Sequence, residues 1–86
     1  MSLHYTYILQ SETTQRYYCG ISNDIERRLK QHNDPNYWGS KTTKRFLGPW
    51  KLIWVLQHET INIAMRQEKQ IKKRGIGRFL KDLAQR

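Results

Sequence analysis

The 86-residue chain has one cysteine, few acidic residues and no long hydrophobic run. A lone cysteine, Cys19, can form neither an internal disulfide nor a zinc cluster, and it favours a reducing compartment such as the cytoplasm. No apolar run approaches the roughly 20 residues that a membrane-spanning helix needs, and no signal-peptide pattern stands at the N-terminus. We therefore expect a cytoplasmic protein with no membrane partner.

Positive charge is what the chain has in excess. Lysine and arginine number 16 against 7 acidic residues, which gives a net charge of +9. So strong a positive field on a small body predicts a polyanionic partner, with nucleic acid the foremost candidate. Hydrophobic residues make up 37% of the chain, which is enough for a folded core, and the length predicts a single domain over residues 1–86.

The first half of the chain predicts a β-hairpin followed by a helix. Tyr5–Leu9 and Arg16–Ile21 are rich in β-branched and aromatic residues, as strands are. Ser22 or Asn23 can cap the helix, which we expect to end near residues 32–33 because a proline follows.

The second half predicts a long basic loop, a strand and two helices. The loop spans 34–48, the strand 50–56 and the first helix 60–74, with Gly75 and Gly77 as its stop. The last helix is amphipathic, and its apolar face consists of Ile76, Phe79, Leu80 and Leu83. The order β-β-α-β-α-α predicts an α+β fold, a three-stranded antiparallel sheet flanked by about three helices.

One carboxylate stands on the apolar face of the predicted helix 60–74. At 100° per residue, Glu68 falls in the same arc as Ile61, Ala64, Met65 and Ile71. Burial of a carboxylate costs free energy unless the charge is paired or bound to a metal. Glu68 is therefore either half of a structural ion pair or a ligand for a hard cation such as Mg²⁺.

Two tyrosines and an arginine–histidine pair are further candidates. Tyr7 and Tyr18 lie on strands that we expect to pair, and Gly20 on the same face leaves space for a ligand backbone. Arg28 and His32 are four residues apart, on a helix face separate from the apolar stripe. Arginine suits a phosphate and histidine suits proton transfer, although ordinary strand aromatics and a solvated basic face explain the same patterns.

The order and spacing of these residues resemble the GIY-YIG nuclease domain over nearly the whole chain. The resemblance rests on Tyr5-Thr6-Tyr7, Tyr18-Cys19-Gly20, the run from Asn23 to Leu29 and the run from Arg66 to Lys73. Tyr5 and Thr6 replace the family's glycine and isoleucine, and Cys19 replaces an aliphatic residue. The asparagine that many members carry after the glutamate helix is absent from residues 75–86.

The resemblance implies an endonuclease that hydrolyses DNA phosphodiester bonds with one divalent cation, Mg²⁺ or Mn²⁺. Its catalytic residues fall on Tyr7, Tyr18, Arg28, His32 and Glu68, of which Glu68 holds the metal. Arg28 would hold the scissile phosphate, and the tyrosines would position the attacking water, with His32 as a candidate proton acceptor. The general base stays open.

The remaining basic residues are expected to bind DNA phosphates, namely Lys41, Lys44, Arg45, Lys69, Lys72, Lys73 and Arg74. Tyr37 and Trp38 can stack on unpaired bases or pack in the fold. We expect recognition of DNA shape, such as a branch or flap, in repair or recombination. The alternatives are an inactive nucleic-acid-binding module on the same fold and an interaction subunit of a larger repair complex.

Overall fold

Three strands form one antiparallel sheet in the computed structural model, which describes residues 3–37, 39 and 48–85. The strands are β1 (His4–Ser11), β2 (Tyr17–Ser22) and β3 (Trp50–His58). The order β2-β1-β3 puts β1 in the centre and leaves β2 and β3 as edge strands. Every strand predicted from the sequence is present.

Three helices complete the fold over the residues that the structure describes, and they confirm the predicted α+β order. They are α1 (Ile25–Asn33), α2 (Ile61–Arg74) and α3 (Ile76–Ala84). The cap predicted for α1 is wrong, because Asp24 rather than Ser22 or Asn23 accepts the hydrogen bond from the Arg27 backbone N–H. Ser22 still belongs to β2, and its hydroxyl is occupied with the backbone of Asp24.

The junction between α2 and α3 consists of one glycine, not two. Gly75 ends α2 with a φ of +97°, a conformation that favours glycine. Gly77 was predicted as a second stop, but it lies inside α3, beside the ring of Tyr17. Because Gly75 alone redirects the chain, the next residues are free to start a new helix.

Strand alternation divides the core into two layers. On one face of the sheet, Tyr7, Leu9 and Trp50 pack against Tyr18, Ile25, Leu29 and Leu52. On the other face, Ile8, Cys19 and Ile71 pack against Ile53, Trp54, Ile76, Phe79 and Leu80. Helix α1 therefore covers one face, and α2 and α3 cover the other.

Buried polar bonds fix the helices on the sheet. The Thr6 hydroxyl on β1 donates to the Ala64 carbonyl of α2 over 3.0 Å and lies 3.1 Å from His58 Nε2. The Asn33 amide at the end of α1 exchanges two bonds with the backbone of Trp50, of 2.7 and 2.9 Å. Of the helices described, none is long and apolar enough to cross a membrane.

Candidate functional site

A buried hydrogen bond between Tyr7 and His32 lies at the centre of the candidate site. The Tyr7 hydroxyl is 2.8 Å from His32 Nε2, and the two residues are only 1% and 2% exposed. The prediction that His32 stands apart from the apolar stripe of α1 is wrong. Positions 25, 29 and 32 follow helical spacing, so His32 shares the packed face with Ile25 and Leu29.

Tyr18 and Gly20 bring β2 into this cluster. In the sheet register, Gly20 pairs with Tyr7 and Tyr18 pairs with Leu9, so both tyrosines lie on the face that α1 covers. The Tyr18 ring centroid is 6.2 Å from that of Tyr7 and 4.8 Å from that of His32. The space expected beside Gly20 for a ligand is filled by the protein, because a Cβ there would lie 2.8 Å from the Tyr7 hydroxyl.

Burial decides the protonation state of Tyr7. Removal from water raises the pKa of its hydroxyl well above the ordinary value, and the neighbouring Tyr18 raises it further. The positive charge of Arg28 lowers the pKa, but by less than burial raises it. At neutral pH Tyr7 therefore keeps its proton, and His32 Nε2 lies within reach to receive it.

Arg28 sits half-buried at the rim of the cluster. Its Nη1 donates to Gln31 Oε1 over 3.0 Å and lies 3.5 Å from the Tyr37 hydroxyl, and its guanidinium carbon is 5.9 Å from the Tyr37 ring centroid. Partial burial alone would lower the pKa of Arg28, but the neighbouring Tyr7 and Tyr18 hydroxyls raise it. Gln31 was not predicted, although its position three residues after Arg28 was a usable signal.

Glu68 lies on the packed stripe of α2, as its helical phase predicts. Ala64 and Ile71 on that stripe are fully buried, and the Glu68 side chain is 24% exposed. Ile61 and Met65 were predicted to be buried with them, and that prediction is wrong, since they are 47% and 51% exposed. At 100° per residue they lie roughly 60° and 100° from Ala64, at the margin of the packed arc.

The structure brings Tyr7, Tyr18, Arg28 and His32 together and places Glu68 in the other layer. Glu68 forms an ion pair with Lys72 over 3.6 Å. Burial raises the pKa of the Cys19 thiol to about 11, with the Glu68 charge as the next cause and Lys72 opposing it. Cys19 points to the face opposite Tyr18, so strand β2 separates the Glu68 side of the sheet from the tyrosine cluster.

The donor chemistry of Glu68 fits a hydrated hard cation. Within residues 3–37, 39 and 48–85, no group of three or more His, Cys, Asp or Glu side chains could hold a metal ion. A closed, zinc-type site is therefore absent from that part of the chain. Mg²⁺ needs only one or two protein carboxylates, with water and phosphate oxygens as the other ligands, and the partly exposed Glu68 offers one.

The predicted phosphate-binding residues on α2 are exposed, but two of them have acidic partners. Lys69 and Lys73 face solvent, whereas Lys72 is paired with Glu68. Arg74 donates two hydrogen bonds to Asp82, of 2.9 and 3.1 Å, and is thus less available to a phosphate. The loop candidates Trp38, Lys41, Lys44 and Arg45 lie outside the described residues.

Comparison with known proteins points to one family. The profile described as the GIY-YIG catalytic domain matches residues 3–75. A UPF0213 protein of Lactococcus lactis subsp. cremoris is 41% identical over 79% of this chain and 65% of its own length, just under two thirds. The structure-specific endonuclease subunit SLX1 of Meyerozyma guilliermondii is 40% identical over 71% of this chain and 21% of its own. A UPF0213 protein structure from Bacillus halodurans aligns with 98% of this chain and 85% of its own, with a TM-score of 0.57 and 28% identity.

Proposed function

The chain belongs to the GIY-YIG catalytic domain family of nucleases, and from that premise we propose that it is a divalent-metal-dependent endonuclease that hydrolyses DNA phosphodiester bonds. The observation that carries the proposal is the cluster of Tyr7, Tyr18, Arg28 and His32. These residues come from β1, β2 and α1, yet they meet around a single hydrogen bond of 2.8 Å. A connected set of phenol, imidazole and guanidinium groups is suited to phosphoryl chemistry.

The two tyrosines take different tasks in the reaction that we propose. Tyr18 is only partly buried, so its hydroxyl is the one that contacts the attacking water. Arg28 donates hydrogen bonds to the scissile phosphate and offsets its charge. Tyr7 is buried and neutral, and together with His32 it positions Tyr18. The proton that the water releases passes to the Tyr18 oxygen, while the Tyr18 proton moves to the Tyr7 oxygen and the Tyr7 proton moves to His32 Nε2.

Glu68 would hold the divalent cation, and a DNA strand that contacts both Glu68 and the tyrosine cluster would have to pass beside β2. A bound Mg²⁺ or Mn²⁺ supplies charge stabilisation for the phosphate oxygens in the transition state. Lys72 competes for the same carboxylate in the free protein, so we expect metal and DNA to bind together rather than in sequence.

DNA shape is the substrate feature that we propose is recognised. The net charge of +9 and the exposed Lys69 and Lys73 favour contact with phosphates, which carry no sequence information directly. The Meyerozyma relative is named a subunit of a structure-specific endonuclease. The proposal also includes a branch or flap as the substrate, a cytoplasmic location, and a role in repair or recombination within a larger complex.

A second candidate function is a nucleic-acid-binding module that does not cleave. The specific observation in its favour is that Glu68 is paired with Lys72 in the layer opposite the tyrosine cluster. Such a module would bind the same substrates with the same dependence on salt, but metal would not change the DNA.

The test is incubation with supercoiled, linear and branched DNA in Mg²⁺ or Mn²⁺, against an EDTA control. We expect cleavage that EDTA stops, loss of cleavage in Glu68→Gln, and a decrease of about 100-fold or more in Tyr18→Phe. Glu59→Gln and Tyr5→Phe are the matched controls and should cleave like the wild type, since both residues lie outside the cluster.

Two results would contradict the proposed endonuclease activity. Cleavage that continues in EDTA or in Glu68→Gln would exclude the metal role of this carboxylate. DNA binding by the wild type without cleavage, across both metals and all substrates, would establish the binding module instead.

A further inference from the structure

We propose that a basic cleft at the α2–α3 corner is a second phosphate-binding site, one that holds the nucleic-acid backbone beside the cut. The cleft has a volume of about 400 Å³, and its lining residues are Arg74, Arg78, Lys81, Asp82 and Gln85. This inference rests on the proposed function, because it assigns the cleft to the same DNA substrate. Arg78 and Lys81 belong to none of the family motifs in the sequence.

The charge of the cleft is uncompensated at two side chains. Asp82 is engaged by the paired hydrogen bonds from Arg74, which neutralise both groups. Arg78 and Lys81 are exposed, and within the part of the chain that the structure describes they make neither a hydrogen bond nor an ion pair. The cleft therefore offers two unpaired cations beside a fixed ion pair, and its ligand must be an anion.

These two cations are not part of the packed face of α3. Residues three apart on a helix are neighbours, so Arg78 and Lys81 repel each other. The apolar face of α3 is supplied by other residues, namely Ile76, Phe79 and Leu80. The ion pair between Arg74 and Asp82 joins the end of α2 to α3 beside the two cations. Exposed like charges gathered at one corner of the surface are typical of an anion-binding surface.

The position of the cleft favours a long polyanion over a small one. Arg74 follows Glu68 by six residues on α2, which is about 9 Å along the helix axis. A nucleic-acid strand advances about 3.4 Å per nucleotide along a duplex, so this axial distance corresponds to roughly three nucleotides, and the cleft lies about 120° around the helix from Glu68. The exposed Lys73 immediately precedes Arg74 and adds positive charge to this end of α2. A phosphodiester backbone fits this track, whereas a free phosphate would use only the cleft.

Binding measurements without cleavage test the cleft directly. The double variant Arg78→Gln/Lys81→Gln is compared with Lys30→Gln/Lys51→Gln, which removes two exposed positive charges from α1 and β3. Fluorescence anisotropy with labelled single-stranded and branched DNA in EDTA, over a range of salt concentrations, gives the affinity and its salt dependence. Two lost phosphate contacts should reduce the slope of log K against log salt by roughly 1.4 to 1.8, and the control by clearly less.

DNA in which single phosphates are made neutral shows where the cleft contacts the strand. Methylphosphonate linkages, placed one at a time along the labelled strand, remove single phosphate charges. The wild type should lose affinity at one or two linkages within a few nucleotides of the branch. Arg78→Gln/Lys81→Gln should be insensitive at those linkages and should retain the sensitivity of the wild type elsewhere.

The outcomes of these experiments test the proposed DNA contact at the cleft separately from the proposed endonuclease activity. Equal losses of slope and affinity in the two double variants would overturn the cleft, whether or not the wild type cleaves DNA. If inorganic tripolyphosphate binding requires Arg78 and Lys81 but DNA binding does not, the proposed DNA site is overturned, and the cleft is a site for a small free anion. If the wild-type protein binds DNA through the cleft but never cleaves it, the proposed endonuclease activity is overturned and the proposed DNA contact at the cleft is kept.

Discussion

At the scale of single residues, burial gives different roles to side chains that look alike in the sequence. Tyr7 and Tyr18 both read as strand aromatics, but only Tyr7 is fully enclosed, which keeps its hydroxyl protonated at neutral pH. His32 is likewise enclosed, so the bond between them forms without competition from water. Tyr18 is only partly buried, so of the two phenols it is the one that can reach a substrate.

The charges of Glu68 and Lys72 should act in opposite directions on the Cys19 thiol. Burial sets the pKa of Cys19 near 11, Glu68 raises it and Lys72 lowers it. We therefore expect Glu68→Gln to lower the Cys19 pKa and Lys72→Gln to raise it, measured by thiolate absorbance against pH. Glu59→Gln is the control and should change nothing. An unchanged Cys19 pKa in Glu68→Gln would mean that the carboxylate lies elsewhere, which would remove the basis for the proposed metal site.

At the scale of elements, the α2–α3 junction predicts opposite effects for two neighbouring glycines. Gly75 has a φ of +97°, so Gly75→Ala should destabilise the protein by about 1–3 kcal/mol. Gly77 lies inside α3, where a Cβ would make an ordinary 3.6 Å contact with Tyr17, so Gly77→Ala should stabilise by about 0.5–1 kcal/mol. Urea unfolding of both variants measures the difference. Equal destabilisation by the two substitutions would show that both glycines are needed to end α2.

At the scale of the whole molecule, the free energy of unfolding should decrease at alkaline pH, even though the repulsion among the positive charges of the protein also decreases. The Cys19 pKa rises on folding from 9.0 to about 11, so folding favours the neutral thiol. This contribution is fully present below about pH 9 and is lost as the pH rises through about 11; it is on the order of 2 kcal/mol. Tyr7 acts in the same direction, because its pKa is raised by burial. The approach to the isoelectric point of about 10.1 reduces repulsion and opposes both.

Cys19→Ala isolates the thiol from the change in net charge. Its free energy of unfolding, followed by urea titration between pH 7 and pH 11, should fall less steeply with pH than that of the wild type. Parallel curves for the two proteins would show that Cys19 ionises equally in the folded and unfolded states.

Local patterns in the sequence are enough to give the order of the elements and the layer to which Glu68 belongs. Alternation and helical phase are local properties, so the three strands, the three helices and the packed stripe of α2 follow from them. The family motifs likewise selected Tyr7, Tyr18 and Arg28, which the structure gathers in one place. Helical phase misplaced Ile61 and Met65, which are exposed, because it does not show how far a neighbouring element extends. The burial of His32, by contrast, follows from its spacing to Ile25 and Leu29, which the prediction did not apply.

The surroundings of each candidate residue depend on how the elements pack in three dimensions. Gly20 accommodates the Tyr7 hydroxyl rather than a ligand, Gln31 holds Arg28, and Glu68 faces Cys19 across the sheet from the tyrosines. These contacts join residues from different elements, and they depend on strand register, helix packing and the single redirection of the chain at Gly75. No local pattern contains such distances. For that reason the sequence could indicate the chemistry of the site, while the fold divides that chemistry between the two layers of the protein.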